Sequence, residues 1–189
     1  MSAMAQVSSK SQVQITDPPI ARFLFSDVRL SWFWLLIRLY LGYEWLMAGW
    51  AKLFSPVWFG DKAGVALTGF LNGALAKTAG EHPDVQSWYA GFLQNSVMPN
   101  AVIWSRFVVI GEILVGAALI LGVFTGLAAF FGGFMNVNYL MAGTVSTNPM
   151  LFVLATWLVL AWKTAGWIGL DRWVLPRLGR VLSPRQVKK

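Results

Sequence analysis

The sequence predicts an all-α integral membrane protein, a four-helix bundle with an extracytoplasmic amphipathic or re-entrant helical loop between its first two spans. Three observations carry that expectation. The 189-residue chain is 57% hydrophobic and only 12% charged, with 11 Trp and 13 Phe, so lipid rather than water must cover much of it. Long apolar runs recur in four places, separated by proline, glycine and asparagine. The formal charge of +7 is concentrated at the ends. Lys10, Arg22 and Arg29 precede the first run, and Lys163, Arg172, Arg177, Arg180, Arg185, Lys188 and Lys189 lie at or beyond the end of the last. Such a distribution marks topology, not nucleic-acid binding, and places both termini in the cytoplasm and the chain in the plasma membrane.

The first span is expected over residues 32–54, opened by Ser31 as N-cap and closed by Ser55-Pro56. The second covers 101–121 and follows Pro99-Asn100; a tight connection at 122–125 leads to the third, 126–142. Pro149, well suited to a helix start, opens the fourth, which runs to 165. About 45 residues separate the first two spans, too many for an unstructured connection in a compact bundle. From Pro83-Asp84 onward, Val85, Trp88, Tyr89, Phe92, Leu93 and Val97 recur at helical spacing, which predicts an amphipathic surface helix. Residues 64–77 are apolar and glycine-rich but too short to cross a bilayer, and are expected to be interfacial or re-entrant. The two segments together would make a lid. Residues 1–30 form a polar cytoplasmic segment, 31–173 the transmembrane domain and 174–189 a basic cytoplasmic tail. Residues 1–16 are polar, so the mature chain is expected to keep its N-terminus.

Composition narrows the chemistry. Without Cys there are no disulfides, thiolate metal sites or Cys-ligated clusters, and one His, His82 in a polar loop, cannot make bis-histidine haem ligation. No metal or haem is expected, so redox work requires a diffusible cofactor or a partner. The informative residues are charges inside apolar helices, each costing about 2.5 to 3.5 kcal/mol on insertion scales and so usually turned toward a cavity or an opposite charge. The first span carries Arg38, Glu44 and Lys52, and the second Arg106 and Glu112. Arg38 precedes Glu44 by six residues and Arg106 precedes Glu112 by the same interval, a weak internal echo. Depth arithmetic on antiparallel helices suggests two crossed pairs, Glu44 with Arg106 and Arg38 with Glu112. Asn136, Asn138 and Tyr139 add hydrogen-bonding groups on the third span, and Trp45 adjoins Glu44.

Several stretches resemble the DoxX/DoxD membrane family. RLYLGYEWLMAGWAKLF at 38–54 looks like that family's first helix, GEILVGAALILGVFTGLAAFFGG at 111–133 like its central pair, and WIGLDRW at 167–173 like its ending. WYAGFLQNSVMPNA at 88–101 favours the DoxD branch. The resemblance implies the membrane subunit of a thiosulfate:quinone oxidoreductase, which oxidises thiosulfate to tetrathionate and passes electrons to quinone. A DoxA-like soluble subunit, if required, would come from another chain; a homo-oligomer is the other expected assembly. In that frame Glu44, Arg106, Glu112 and Arg38 are the candidate catalytic residues, and Lys52 with Arg106 would attract the thiosulfate dianion. Tyr139, Asn138, Asn136 and Trp45 would bind quinone. An alternative is a non-catalytic subunit that anchors or assembles a redox complex.

Overall fold

The computed structural model describes residues 17–182, and all regular structure among them is helical. Lys10, Arg185, Lys188 and Lys189, expected to mark the cytoplasmic side, lie outside the described residues. Helix α1 (Pro19–Ser26) begins on a proline, whose missing N–H costs nothing in a first turn. After a single 3-10 turn comes α2 (Ser31–Leu53), to which α1 is tied by the Trp34 indole N–H donating to the Leu24 carbonyl at 2.9 Å. Next come α3 (Val65–Leu75) and α4 (Ser87–Phe92). The latter continues through a π turn, Leu93–Val97, and a 3-10 turn into α5 (Ala101–Leu121). Then follow α6 (Thr125–Met141), α7 (Asn148–Leu160), α8 (Trp162–Ala165) and α9 (Asp171–Leu182).

Helices α2, α5, α6 and α7 pack as a ring of neighbours: α2 on α5, α5 on α6, α6 on α7 and α7 back on α2. Trp34, Leu41, Trp45, Leu119, Ala129, Ala155 and Leu158 are buried at its centre. Large apolar side chains also cover the outside, among them Leu36, Phe107, Leu114, Leu127, Phe134 and Trp157. An outward face of this kind suits hydrocarbon, not water. The continuous stretch Ser87–Leu121 is long and apolar enough to cross a membrane. Helix α2 falls short because it carries Arg38, Glu44 and Lys52, and α6 and α7 because they have 17 and 13 residues. The fourth expected span, 149–165, is broken at Ala161, where α7 ends and α8 begins.

The closest seam lies between α2 and α5, where glycines allow backbone to approach backbone. A Cβ on Gly42 would sit 2.9 Å from Ile120, one on Gly49 2.8 Å from Ile113, and one on Gly116 would collide with the backbone of Leu46. These three contacts fix the antiparallel register.

Across one end of the ring, α3 and α4 form a cap. Leu67, Leu71 and Ala74 of α3 pack with Val85, Tyr89, Leu93, Val97 and Ala142 in a second apolar cluster. The buried residues of the later segment recur every four positions, Val85, Tyr89, Leu93 and Val97, while Trp88 and Phe92 from the same expected stripe point outward. The two segments therefore do lie together over the bundle, at the end where α2 stops and α5 begins.

Candidate functional site

Beneath the cap, α2, α5 and α6 bring three polar side chains to one point. The Lys52 ammonium lies 2.7 Å from both carboxylate oxygens of Glu112, and the Tyr139 hydroxyl donates to Glu112 Oε1 at 2.9 Å. Lys52 reaches Glu112 from the last turn of α2 because the glycine seam brings Gly49 against the Glu112 Cβ. The Glu112 side chain is 2% exposed, so both donors compensate a charge largely withdrawn from water. Aromatic rings frame the cluster. Trp45 stacks on Tyr139 with centroids 6.4 Å apart, Phe70 meets the same ring edge-on at 6.2 Å, and the Lys52 ammonium lies 5.3 Å from the centre of the Trp58 ring.

The cluster opens into a chamber of about 320 Å³. Its wall includes Glu44; Thr144, Ser146 and Thr147 from the connection between α6 and α7; and Asn148 at the start of α7. Ser146 holds a left-handed φ of 39° in that turn. Beside the chamber lies an apolar slot of about 180 Å³. The two share Leu67, Phe70, Val108 and Tyr139 as a common wall. A molecule with a polar head and an apolar extension would find matching surfaces on either side of Tyr139.

The crossed ion pairs expected from the sequence do not form. Glu112 takes Lys52 as its partner, and no ion pair joins Glu44 to Arg106 among the described residues. The cause is register. With Gly49 facing Ile113 and Gly42 facing Ile120, Glu44 lies level with Ala118, twelve residues from Arg106, about 18 Å along the axes. Arg106 is exposed on α5 and does not line the chamber, whereas Glu44, half-buried, does.

Arg38 lies at the other end of the bundle, away from the chamber. The residue is 2% exposed, and its guanidinium donates to the carbonyls of Ala165 (3.3 Å) and Ile168 (2.7 Å), with the Asp171 carboxylate nearby. Asp171 in turn accepts from the backbone N–H groups of Phe124 (2.6 Å) and Thr125 (2.8 Å), which closes the N-terminus of α6. Gly122 and Gly169 press on the guanidinium, and a Cβ at either would collide with it. Backbone carbonyls and close packing thus hold two of the three guanidinium nitrogens, while the buried Nε has no hydrogen-bond partner.

Of the remaining expected ligands of quinone, Trp45 and Tyr139 line the chamber, and Asn138 lines the slot. Asn138 lies 3.1 Å from the Tyr89 hydroxyl. Asn136 is buried between helices and donates to Asn148 at 3.0 Å, outside both cavities. Sequence reasoning missed Asp171, Trp58 and Phe70. Asp171 carried a visible signal, an acidic residue two positions after Gly169 within WIGLDRW; nothing in the sequence separates Trp58 or Phe70 from the other aromatic residues.

Among the described residues no cluster of three or more His, Asp or Glu is suited to a metal ion. The DoxX family model matches residues 33–162, which includes every chamber residue named above. No curated protein and no solved structure matches the chain.

Proposed function

The chain belongs to the DoxX membrane family, and on that premise we propose that it is a quinone-linked oxidoreductase, or its membrane subunit, which oxidises thiosulfate to tetrathionate. The observation that carries this reading is the Lys52–Glu112–Tyr139 chain at the junction of a polar chamber and an apolar slot. Quinones combine a polar head with an apolar body, and their reduction consumes protons. Two thiosulfate dianions, one quinone and two protons give one tetrathionate dianion and one quinol; the two electrons leave sulfur as the central S–S bond forms. In this reading Tyr139 turns its O–H from Glu112 to a quinone carbonyl, and Glu112 hands a proton on to it. Glu44, which lines the chamber, would pass protons from water. Lys52 would attract the sulfur dianion whenever Glu112 is protonated, because its counter-charge is then gone.

In the proposed topology α2, α5, α6 and α7 with α8 cross the bilayer, both termini are cytoplasmic and the chamber opens outside. The thiosulfate half of the reaction rests on the DoxD resemblance of residues 88–101 and the quinone half on the geometry. A second reading, a non-catalytic subunit that assembles a redox complex, is favoured by one observation. Lys52 is the single cation lining the chamber among the described residues, and Glu112 already compensates it.

The deciding assay is thiosulfate-dependent reduction of a soluble quinone by purified protein, alone and with co-purifying chains. The expected result is turnover that Glu112→Gln reduces by about 100-fold or more. Turnover indifferent to that change, or none in either preparation, supports the assembly reading instead.

A further inference from the structure

We infer that the slot beside the chamber is the berth of a long isoprenoid tail, and that the quinone enters sideways from the bilayer between α5 and α6. The inference rests on the quinone reading above and adds the substrate class, a lipid-soluble long-chain quinone, together with its route. Four features carry it. The slot is almost wholly apolar, lined by Leu71, Phe92, Leu93, Val97, Trp104 and Phe134 among others, with Asn138 and Tyr89 hydrogen-bonded to each other on its wall. At its rim Phe92, Trp104 and Phe134 are 38%, 38% and 58% exposed on the outer surface of the bundle, the surface that hydrocarbon would cover. Helices α5 and α6 pack less closely than α2 and α5, whose glycine seam leaves no passage on that side. Finally, the slot adjoins the polar chamber, with Leu67, Phe70, Val108 and Tyr139 lining both. A tail in the slot would leave its head against the Tyr139 hydroxyl, whereas a head-only quinone would fill the chamber and leave apolar surface unused.

The test uses the full chain in lipid nanodiscs and a quinone that carries a photoreactive diazirine on its tail. Labelled peptides are expected to fall within residues 67–71, 89–108 and 134–139, and an excess of long-tailed quinone should suppress the labelling far better than the same head without a tail. Competed labelling confined to other peptides overturns the slot while leaving the quinone reading intact. Labelling that no quinone competes for anywhere overturns both. Independently, Leu93→Trp fills the slot from the cap side. It should lower the affinity ratio of tailed over tail-less quinone about tenfold, a fraction of what burying several methylenes yields; an unchanged ratio in a variant that melts like the wild type rejects the berth.

Discussion

Two buried charged clusters stand at opposite ends of helix α2, and they are built from different materials. At the cap end Lys52, Glu112 and Tyr139 satisfy one another side chain to side chain, next to a chamber. At the far end Arg38 is held by backbone carbonyls, Asp171 by backbone N–H groups, and glycines close the remaining space. A buried charge alone does not therefore mark a site. The useful distinction is whether its partners are side chains that can exchange a proton or a counter-ion beside open space, or main-chain groups that cannot.

The sharpest way to break this comparison is at Arg38. Arg38→Met removes the donors of two carbonyls and the charge facing Asp171, and should cost about 3 to 5 kcal/mol, seen as loss of monodisperse protein in detergent. If the variant assembles normally, the far-end cluster is not the clamp described. Next in size is the Lys52–Glu112 cycle. Either single neutralisation, Lys52→Met or Glu112→Gln, leaves one buried charge without its partner and should lower thermal stability, whereas the double variant should recover most of it. If the pair also handles protons, the double variant folds and turns over at a few per cent of the wild-type rate or less; full turnover would make the pair purely structural. A smaller effect is expected from Tyr139→Phe, which deletes one hydrogen bond to a charged acceptor, worth about 1.5 to 3 kcal/mol, and keeps both stacked rings. Quinone reduction should fall more than stability does. The smallest concerns Glu44 and Arg106. Because they do not touch, Glu44→Gln and Arg106→Gln should be additive in unfolding free energy to within about 0.5 kcal/mol. A measurable coupling energy would restore the ion pair that the register denies.

The same pair shows what was legible in the sequence. Helix α2 at 31–53 and α5 at 101–121 were readable almost to the residue, because apolar runs and proline punctuation are local signals. Of the cap, the segment from Val85 to Val97 was readable from its helical spacing, and α3 only as an apolar, glycine-rich stretch too short to span. Glu112, Lys52, Tyr139 and Trp45 stood out by type, yet their pairing did not, since the depth of one helix against another is set by where its glycines dock. Counting inward from the helix ends assumes that α2 and α5 end at one level, and α5 instead extends past α2 to support the cap. Asp171 escaped for a related reason: its partners are main-chain N–H groups 46 and 47 residues earlier, and backbone carries no sequence label.

The glycine seam between α2 and α5 has a kinetic consequence. With Gly42, Gly49 and Gly116 at van der Waals contact, these two helices cannot slide or part without losing contact along their whole length. Whatever breathing admits a ligand must therefore fall to the opposite side, to α6, the connection carrying Ser146 and the cap. Amide hydrogen exchange should divide the molecule accordingly: the α2–α5 pair forms the slowest-exchanging unit, and the α3 and α6–α7 segments open earliest. The protein is then half frame and half door, and substitutions that change the rate of entry belong on the door even where every charge that matters is mounted on the frame.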